Sequence, residues 1–127
     1  MQDKHLFDYA IIRVVPRVER EEFINVGVII YCSAKKVLHV DVQLNEERLV
    51  SLYKDVDVDE IKSHLDAFVK IARGGKDGGP IGELDVPSRF RWLTAKRSTI
   101  IQTSAVHPAF CTNLEDKLKE IIWEQVS

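Results

Sequence analysis

The sequence has few of the residues and segments that mark specialised classes of protein. Its two cysteines, Cys32 and Cys111, lie far apart and outside any Cys-x-x-Cys pair. Their spacing therefore predicts neither a disulfide framework nor a thiolate metal site. Cys32 ends the longest apolar run, residues 26–32, and is predicted to be a buried thiol. That run is too short to cross a bilayer as a helix.

An excess of one charge sign is also missing. The net charge is −2 at pH 7 and the isoelectric point is about 6.1. Domains that bind nucleic acid usually carry a strongly basic balance, so only a local basic patch would support that function here. Residues 1–5 are followed by no apolar segment, and we therefore expect no signal peptide and a reduced, cytoplasmic location.

The remaining composition predicts one ordinary globular domain over residues 1–127. Apolar residues make up 45% of the chain and charged residues 30%, which is enough apolar surface for a core. Period-two and β-branched runs predict strands over 7–15, 25–32, 37–43 and 99–103, the second and third forming a hairpin. Helical spacing predicts helices after Asn45, Asp57 and Thr112. This order favours an α+β fold, a mainly antiparallel sheet with helices packed on one face.

Two features invite a functional interpretation and are better explained structurally. The glycine-rich segment 74–80 lacks the Gly-Lys-Ser/Thr ending of a phosphate-binding loop and is predicted to be a flexible connection. The four histidines show no spacing typical of zinc ligands. The sequence therefore indicates no metal and no cofactor.

Arginines cluster at the end of the first predicted strand. Arg13 interrupts an otherwise apolar strand, where a charge must be paired or must face a cavity. Glu22 is its predicted partner, and structural pairing is favoured over a ligand role. Arg17 and Arg20 stand among glutamates and are predicted to form a solvated, ion-paired turn.

The most unusual segment is 89–107, which holds four cations and no carboxylate. It also holds five hydroxyl side chains, an amide and an imidazole. An arginine fork such as that of Arg97 matches a phosphate or a carboxylate. A plain alternative is a solvated edge strand whose cations prevent edge-to-edge pairing. The candidate ligand-binding residues of the chain are Arg13, Arg17, Arg97, Ser98, Gln102 and His107, the last predicted to lie in a polar loop.

Two segments carry a resemblance to a bacterial family of small proteins of unknown function. They read YAIIRVVPRVEREEFINVGV at 9–28 and WLTAKRSTIIQ at 92–102, and the resemblance covers nearly the whole chain. The family often has proline where Lys96 stands. Its genes are similar in setting to those beside HipA-like kinases of toxin–antitoxin systems, so the resemblance implies a protein partner of that kind and no particular reaction.

Three functions follow as hypotheses. The first is a binding or regulatory module for a protein partner such as a HipA-like kinase, because no nucleophile, base and orienting group can be recognised together. The second is a small enzyme or sensor acting on a phosphorylated or anionic ligand. The third is single-stranded nucleic acid binding, with Phe90 and Trp92 stacking on bases. We also expect the two basic groups, around Arg13 and around Arg97, to converge at one end of the sheet.

Overall fold

Three strands form consecutive antiparallel pairs at the start of the chain, where aromatic and β-branched residues favour extended backbone. In the computed structural model, which describes residues 4–127, β1 spans His5–Val14, β2 Ile24–Cys32 and β3 Val37–Val42. The predicted hairpin of β2 and β3 is confirmed. Residues 1–3, part of the stretch in which no signal peptide was expected, lie outside the described residues.

The other edge of β1 is covered by two short strands that follow one another along it. β4 (Ile101–Thr103) pairs with the end of β1, and β5 (His107–Cys111) pairs with its beginning. The prediction of a polar loop around His107 was wrong, because that residue begins β5. Pro108 argued against a strand in the sequence, but proline is compatible with a strand at the edge of a sheet.

Five α-helices lie within residues 4–127, four of them between β3 and β4 and one after β5. Side-chain caps begin three of them as predicted or nearly so. Asn45 and Asp57 accept hydrogen bonds from the backbone at the starts of the first two helices. The last helix is capped by Asn113, one residue after the predicted Thr112. The helices are α1 (Glu46–Leu52), α2 (Val58–Arg73), α3 (Gly79–Gly82), α4 (Val86–Thr94) and α5 (Leu114–Gln125).

Helix α4 begins at Asp85, whose carboxylate accepts a hydrogen bond from the backbone amide of Ser88. Hydrogen bonds from the Ser88 side chain and backbone hold the pKa of Asp85 below its ordinary value. Because the folded-state pKa is lowered, this cap stabilises α4 at neutral pH, and its contribution is lost as the pH falls through that pKa.

The glycine-rich segment, for which the sequence predicted a flexible connection, contains regular helical structure. It forms a 3-10 turn at Lys76–Gly78 followed directly by α3. The backbone amide of Gly75 donates to the carbonyl of Gly82 at 2.8 Å. A Cβ on Gly82 would lie 2.7 Å from the Gly75 carbonyl oxygen, so the close approach of the two backbones requires glycine there.

The α+β fold is confirmed, and helices cover both faces of the antiparallel sheet. Alternate residues of β1 enter two separate hydrophobic clusters. Ala10, Ile12 and Val14 pack with the buried residues of α1, α2 and α4 on one face. Phe7 and Ile11 pack with α5 on the other face, so the expectation that all helices share one face holds for α1, α2 and α4 but not for α5.

Both cysteines are buried and free, which confirms the prediction for Cys32. The Cys32 thiol donates to the carbonyl of Leu6 at 3.4 Å. Burial raises the pKa of Cys111, with a further contribution from Cys32. Over residues 4–127, no helix combines the length and the apolar character that crossing a membrane requires.

Gly27 marks a β-bulge next to the end of β1. The β1–β2 register shifts between Ile12, which faces Gly27, and Arg13, which faces Asn25. A Cβ on Gly27 would lie 2.4 Å from the carbonyl oxygen of Asp41 in β3. Gly27 therefore lies both at a bulge and at a close approach of two backbones.

Replacing Gly27 with alanine should force β2 and β3 apart at this point. We expect G27A to lower the free energy of unfolding by about 1–3 kcal/mol, the usual cost of overpacking. Urea unfolding would measure it, with the exposed S63A on α2 as a control that changes stability by less than about 0.5 kcal/mol. Equal stabilities of G27A and S63A would contradict this account of the bulge.

Candidate functional site

A cleft opens between the outer edge of β4 and the loop that follows α4. Its volume is about 470 Å³. Residues from β1, from the end of α4 and its loop, and from β4 and the turn after it form the walls. They are Arg13, Thr94, Ala95, Lys96, Arg97, Gln102, Thr103, Ser104 and Ala105.

The cleft brings together the two basic groups that the sequence placed far apart. Arg13 of β1 and Gln102 of β4 are directly paired in the sheet, and their side chains lie on the same face. Arg97 lines the same cleft from the loop. The predicted convergence of the groups around Arg13 and Arg97 is therefore observed, although Arg17 takes no part in it.

Arg13 has no carboxylate partner among the described residues. Its guanidinium lies over the ring of Phe23, with the carbon Cζ 4.1 Å from the ring centroid. Its Nε is buried and makes no hydrogen bond. Glu22, the partner predicted from the sequence, instead pairs with Arg20 at 2.5 Å. The expected structural ion pair of Arg13 is thus wrong, and the residue meets the other condition for a charge in an apolar strand, a cavity.

Arg97 is held in place by Trp92, five residues earlier. Its guanidinium stacks on the indole ring, with Cζ 4.2 Å from the ring centroid, and also donates to the Trp92 carbonyl. The contact with the ring and the bond to the carbonyl together restrain the position of the guanidinium. The turn after α4 therefore presents a fixed cation at the mouth of the cleft.

On the other side of the Arg97–Trp92 stack lies a second concavity, which we call the apolar groove. Its volume is about 540 Å³. Most of its lining residues are apolar and come from α2, α4 and the start of β4. The groove is lined by Val18, His64, Ala67, Phe68, Ile71, Trp92, Leu93, Arg97, Ser98, Thr99, Ile100 and Ile101.

The electrostatics of the cleft follow from its composition. Arg13, Lys96 and Arg97 contribute three positive charges, and no aspartate or glutamate lines the walls. Within the described part of the chain, none of the three forms an ion pair. Arg13 and Arg97 are half-buried. Partly desolvated cations attract an anion more strongly than exposed ones, because less water screens the charge.

The other predicted site residues lie elsewhere or act differently. Arg17 pairs with Glu19 at 2.7 Å, away from the cleft. Ser98 lines the apolar groove and not the cleft. His107 is exposed, packs against the ring of Tyr9 with centroids 5.6 Å apart, and lines neither concavity. Of the six candidates, the structure brings together Arg13, Arg97 and Gln102.

Sequence reasoning missed two members of the site. Lys96 stands beside Arg97 in the same basic segment, so proximity in sequence was an available signal. His64 reaches the groove from α2, where it pairs with Glu60 at 3.6 Å. Its position depends on how α2 packs against α4, which no local pattern reports.

The side chains proposed to stack on nucleic acid bases are not free to do so. Phe90 is buried and packs against Tyr31, with ring centroids 5.2 Å apart. Trp92 is 38% exposed, but Arg97 lies over its ring. The structure therefore removes Phe90 from the nucleic acid hypothesis.

Comparison with known proteins places the chain in a family without assigning it an activity. Residues 9–126 match the family described as "Protein of unknown function (DUF3037)". The chain belongs to the DUF3037 family. Neither the curated proteins nor the solved structures gave a match. For this DUF3037 chain, function must therefore be argued from the cleft and its surroundings.

The most buried hydroxyl of the cleft is engaged in hydrogen bonds with the backbone. Ser104 is the hydroxyl that lies deepest, at 8% exposure. Its Oγ accepts a hydrogen bond from the Ile11 backbone amide at 2.8 Å and donates to the Ala105 carbonyl at 2.9 Å. Both bonds give Ser104 a structural role. No group of histidine, cysteine, aspartate and glutamate side chains within residues 4–127 is arranged to hold a metal ion.

The Ser104 hydroxyl ties the segment between β4 and β5 to β1, and its removal should be costly. We expect S104A to leave the Ile11 amide without its acceptor and to lower the free energy of unfolding by about 1–3 kcal/mol. Chemical denaturation would measure the loss. The exposed S98A is the matched control, and a stability of S104A equal to that of S98A would show that the hydroxyl is dispensable.

Proposed function

We propose that this protein is a binding module that recognises an anionic group, a carboxylate or a phosphate, in the cleft beside β4. The observation that carries the proposal is the set of three cations, Arg13, Lys96 and Arg97, around a cleft without a carboxylate. Like charges held together raise the free energy of the empty site, and a bound anion relieves that repulsion.

The aromatic neighbours favour the same function. The guanidinium groups of Arg13 and Arg97 lie over the rings of Phe23 and Trp92, with Cζ 4.1 and 4.2 Å from the ring centroids. The planar N–H edges are the part of the group that forms paired hydrogen bonds with an oxyanion. An arginine held in this way loses less side-chain entropy when it binds.

Binding is favoured over catalysis by what lines the cleft. The Ser104 hydroxyl is engaged with the backbone, and none of the histidines lines the walls. A nucleophile activated by a neighbouring base is the usual arrangement of hydrolytic sites. The residues of the cleft support recognition of an anion and no bond-making step.

Titration with inorganic phosphate and with citrate tests the proposal. We expect both anions to shift the NMR signals of the cleft residues, and we expect K96Q or R97Q to weaken binding about tenfold, the effect of one charge-assisted hydrogen bond. R17Q is the matched control, since Arg17 is an arginine of the same region outside the cleft. Lys96 is exposed, so K96Q tests the charge without disturbing the core.

Two results would contradict anion recognition. One is unchanged affinity in K96Q and R97Q while both variants remain folded. The other is an equal loss in R17Q, which would indicate a general effect of net charge and not of the cleft.

A second candidate function, docking to a protein such as a HipA-like kinase, is favoured by an exposed apolar pair at the opposite end of the same sheet edge. Leu6 of β1 and Phe110 of β5 are direct cross-strand partners. They remain 54% and 63% exposed. Large exposed apolar neighbours are more typical of interaction surfaces than of solvated ones.

Co-expression with a HipA-like kinase tests this second candidate. We expect the tagged chain to retain the kinase, and we expect F110S to reduce retention at least several-fold. V50S, at an exposed apolar position on α1, is the control. Equal retention by F110S and V50S would exclude the Leu6–Phe110 pair as the docking surface, and no retention by the unaltered chain would remove the kinase as a partner.

A further inference from the structure

The outer edge of β4 is open. Within residues 4–127 the sheet order is β3-β2-β1-β4, and β1 is the only strand that pairs with β4. An unpaired strand edge presents backbone N–H and C=O groups that can pair with another extended chain.

The register shows which groups face outward. The Val15 amide donates to the Ile100 carbonyl and the Ser104 amide donates to the Ile11 carbonyl, at 2.7 and 2.8 Å. In an antiparallel ladder the bonded pairs alternate, so Gln102 directs its backbone groups toward β1. Ile101 and Thr103 therefore direct theirs to the open edge.

One of the outward-facing backbone groups already has a hydrogen-bond partner within the chain. The Thr99 hydroxyl donates to the outward carbonyl of Ile101 at 2.8 Å. The backbone amide of Ile101 and both backbone groups of Thr103 are the remaining outward-facing groups of β4.

The two concavities lie at successive points along this edge. Ile100 and Ile101 line the apolar groove, whereas Gln102, Thr103 and Ser104 line the cationic cleft. The five residues 100–104 span about 17 Å at roughly 3.4 Å per residue. A chain of similar length lying along β4 would meet hydrocarbon at one end and three positive charges at the other.

We propose that an extended segment of a partner protein binds as an added strand on β4, with an apolar side chain in the groove and a carboxylate at Arg13, Lys96 and Arg97. This inference rests on the proposed anion recognition and specifies that the anion is a carboxylate of a partner protein. Adding a strand to an open edge is a common mode of peptide recognition, in which the backbone provides affinity and the flanking pockets provide specificity.

Charge complementarity favours this occupant. The edge itself carries only uncharged side chains in β4, while the cations stand at its cleft end. A small free anion would occupy the cleft alone and leave the groove empty. A peptide with apolar residues before an acidic end uses the groove, the backbone edge and the cleft together.

The test uses the full-length chain, labelled with nitrogen-15, and a capped peptide of sequence acetyl-Leu-Thr-Val-Thr-Asp-Asp-amide, with its reversed sequence to cover both strand directions. We expect one of them to bind more tightly than inorganic phosphate and to slow hydrogen exchange at the backbone amides of Ile101 and Thr103. Replacing both peptide aspartates with asparagine should weaken binding about tenfold, as should N-methylation of the central peptide amides.

Matched variants assign the contacts. R97Q should weaken binding of the acidic peptide and leave the asparagine peptide unchanged, while R17Q should bind like the unaltered chain. An N-methylated peptide that binds as tightly as the parent would overturn strand addition, because its charge is intact and only the backbone donors are lost. Binding without slower exchange at Ile101 and Thr103 would place the peptide elsewhere and also overturn it.

The titration with phosphate distinguishes failure of the added strand from failure of anion recognition. If phosphate binds and neither peptide binds more tightly than phosphate, the added strand is wrong and anion recognition stands. If neither phosphate nor peptide binds, both are wrong.

Discussion

A guanidinium in the central strand of the sheet is the constraint on which the candidate site depends. β1 is paired along both edges and buried on both faces, so a charge within it must be neutralised or must reach water. Arg13 does the latter. At the position of Arg13, the short strand β4 is the last strand of the sheet on that side of β1. The Arg13 side chain lies over Phe23 and lines the cleft. The Gly27 bulge occurs at the same level of the β1–β2 pair, where added twist re-aims side chains.

The edge beside Arg13 owes its shape to one hydroxyl group. β4 and β5 run along β1 almost as a single strand, but the register changes by one residue between Thr103 and His107. At this point the Ser104 hydroxyl replaces a backbone carbonyl as the acceptor for the Ile11 amide. The substitution keeps a buried donor satisfied.

Local patterns predicted most elements because their causes are local. Runs rich in β-branched residues predicted β1 and β2, and period-two alternation predicted β3. The caps Asn45 and Asp57 predicted the starts of α1 and α2. β5 escaped detection because its stability comes from pairing with β1, a distant segment, and not from its own alternation of polarity. The turn and short helix within 74–80 were not predicted, because glycine permits both a flexible loop and the close backbone packing that Gly75 and Gly82 form.

Some residues of the candidate site could likewise be found from local sequence, whereas their arrangement depends on distant contacts. The unusual composition of 89–107 identified Arg97 and Gln102, and the isolated charge in an apolar strand identified Arg13. Their meeting in one cleft depends on the pairing of β4 with β1, which had to be inferred from an expected shared sheet. Ser98 and His107 were chosen for their chemistry alone. Their side chains point into the groove and toward Tyr9, directions that the strand boundaries decide.

The cations around β4 affect which chains can pair with its open edge. Positive charge beside a short edge strand opposes pairing with a second copy, which presents the same charges. The same field favours an approaching acidic segment, because complementary charge accelerates encounter and like charge rejects the wrong partner. The charges that oppose the pairing of two copies are therefore the charges that would favour an acidic partner. Arg97 is central to both effects, since its stack on Trp92 holds the charge at the boundary between the groove and the cleft.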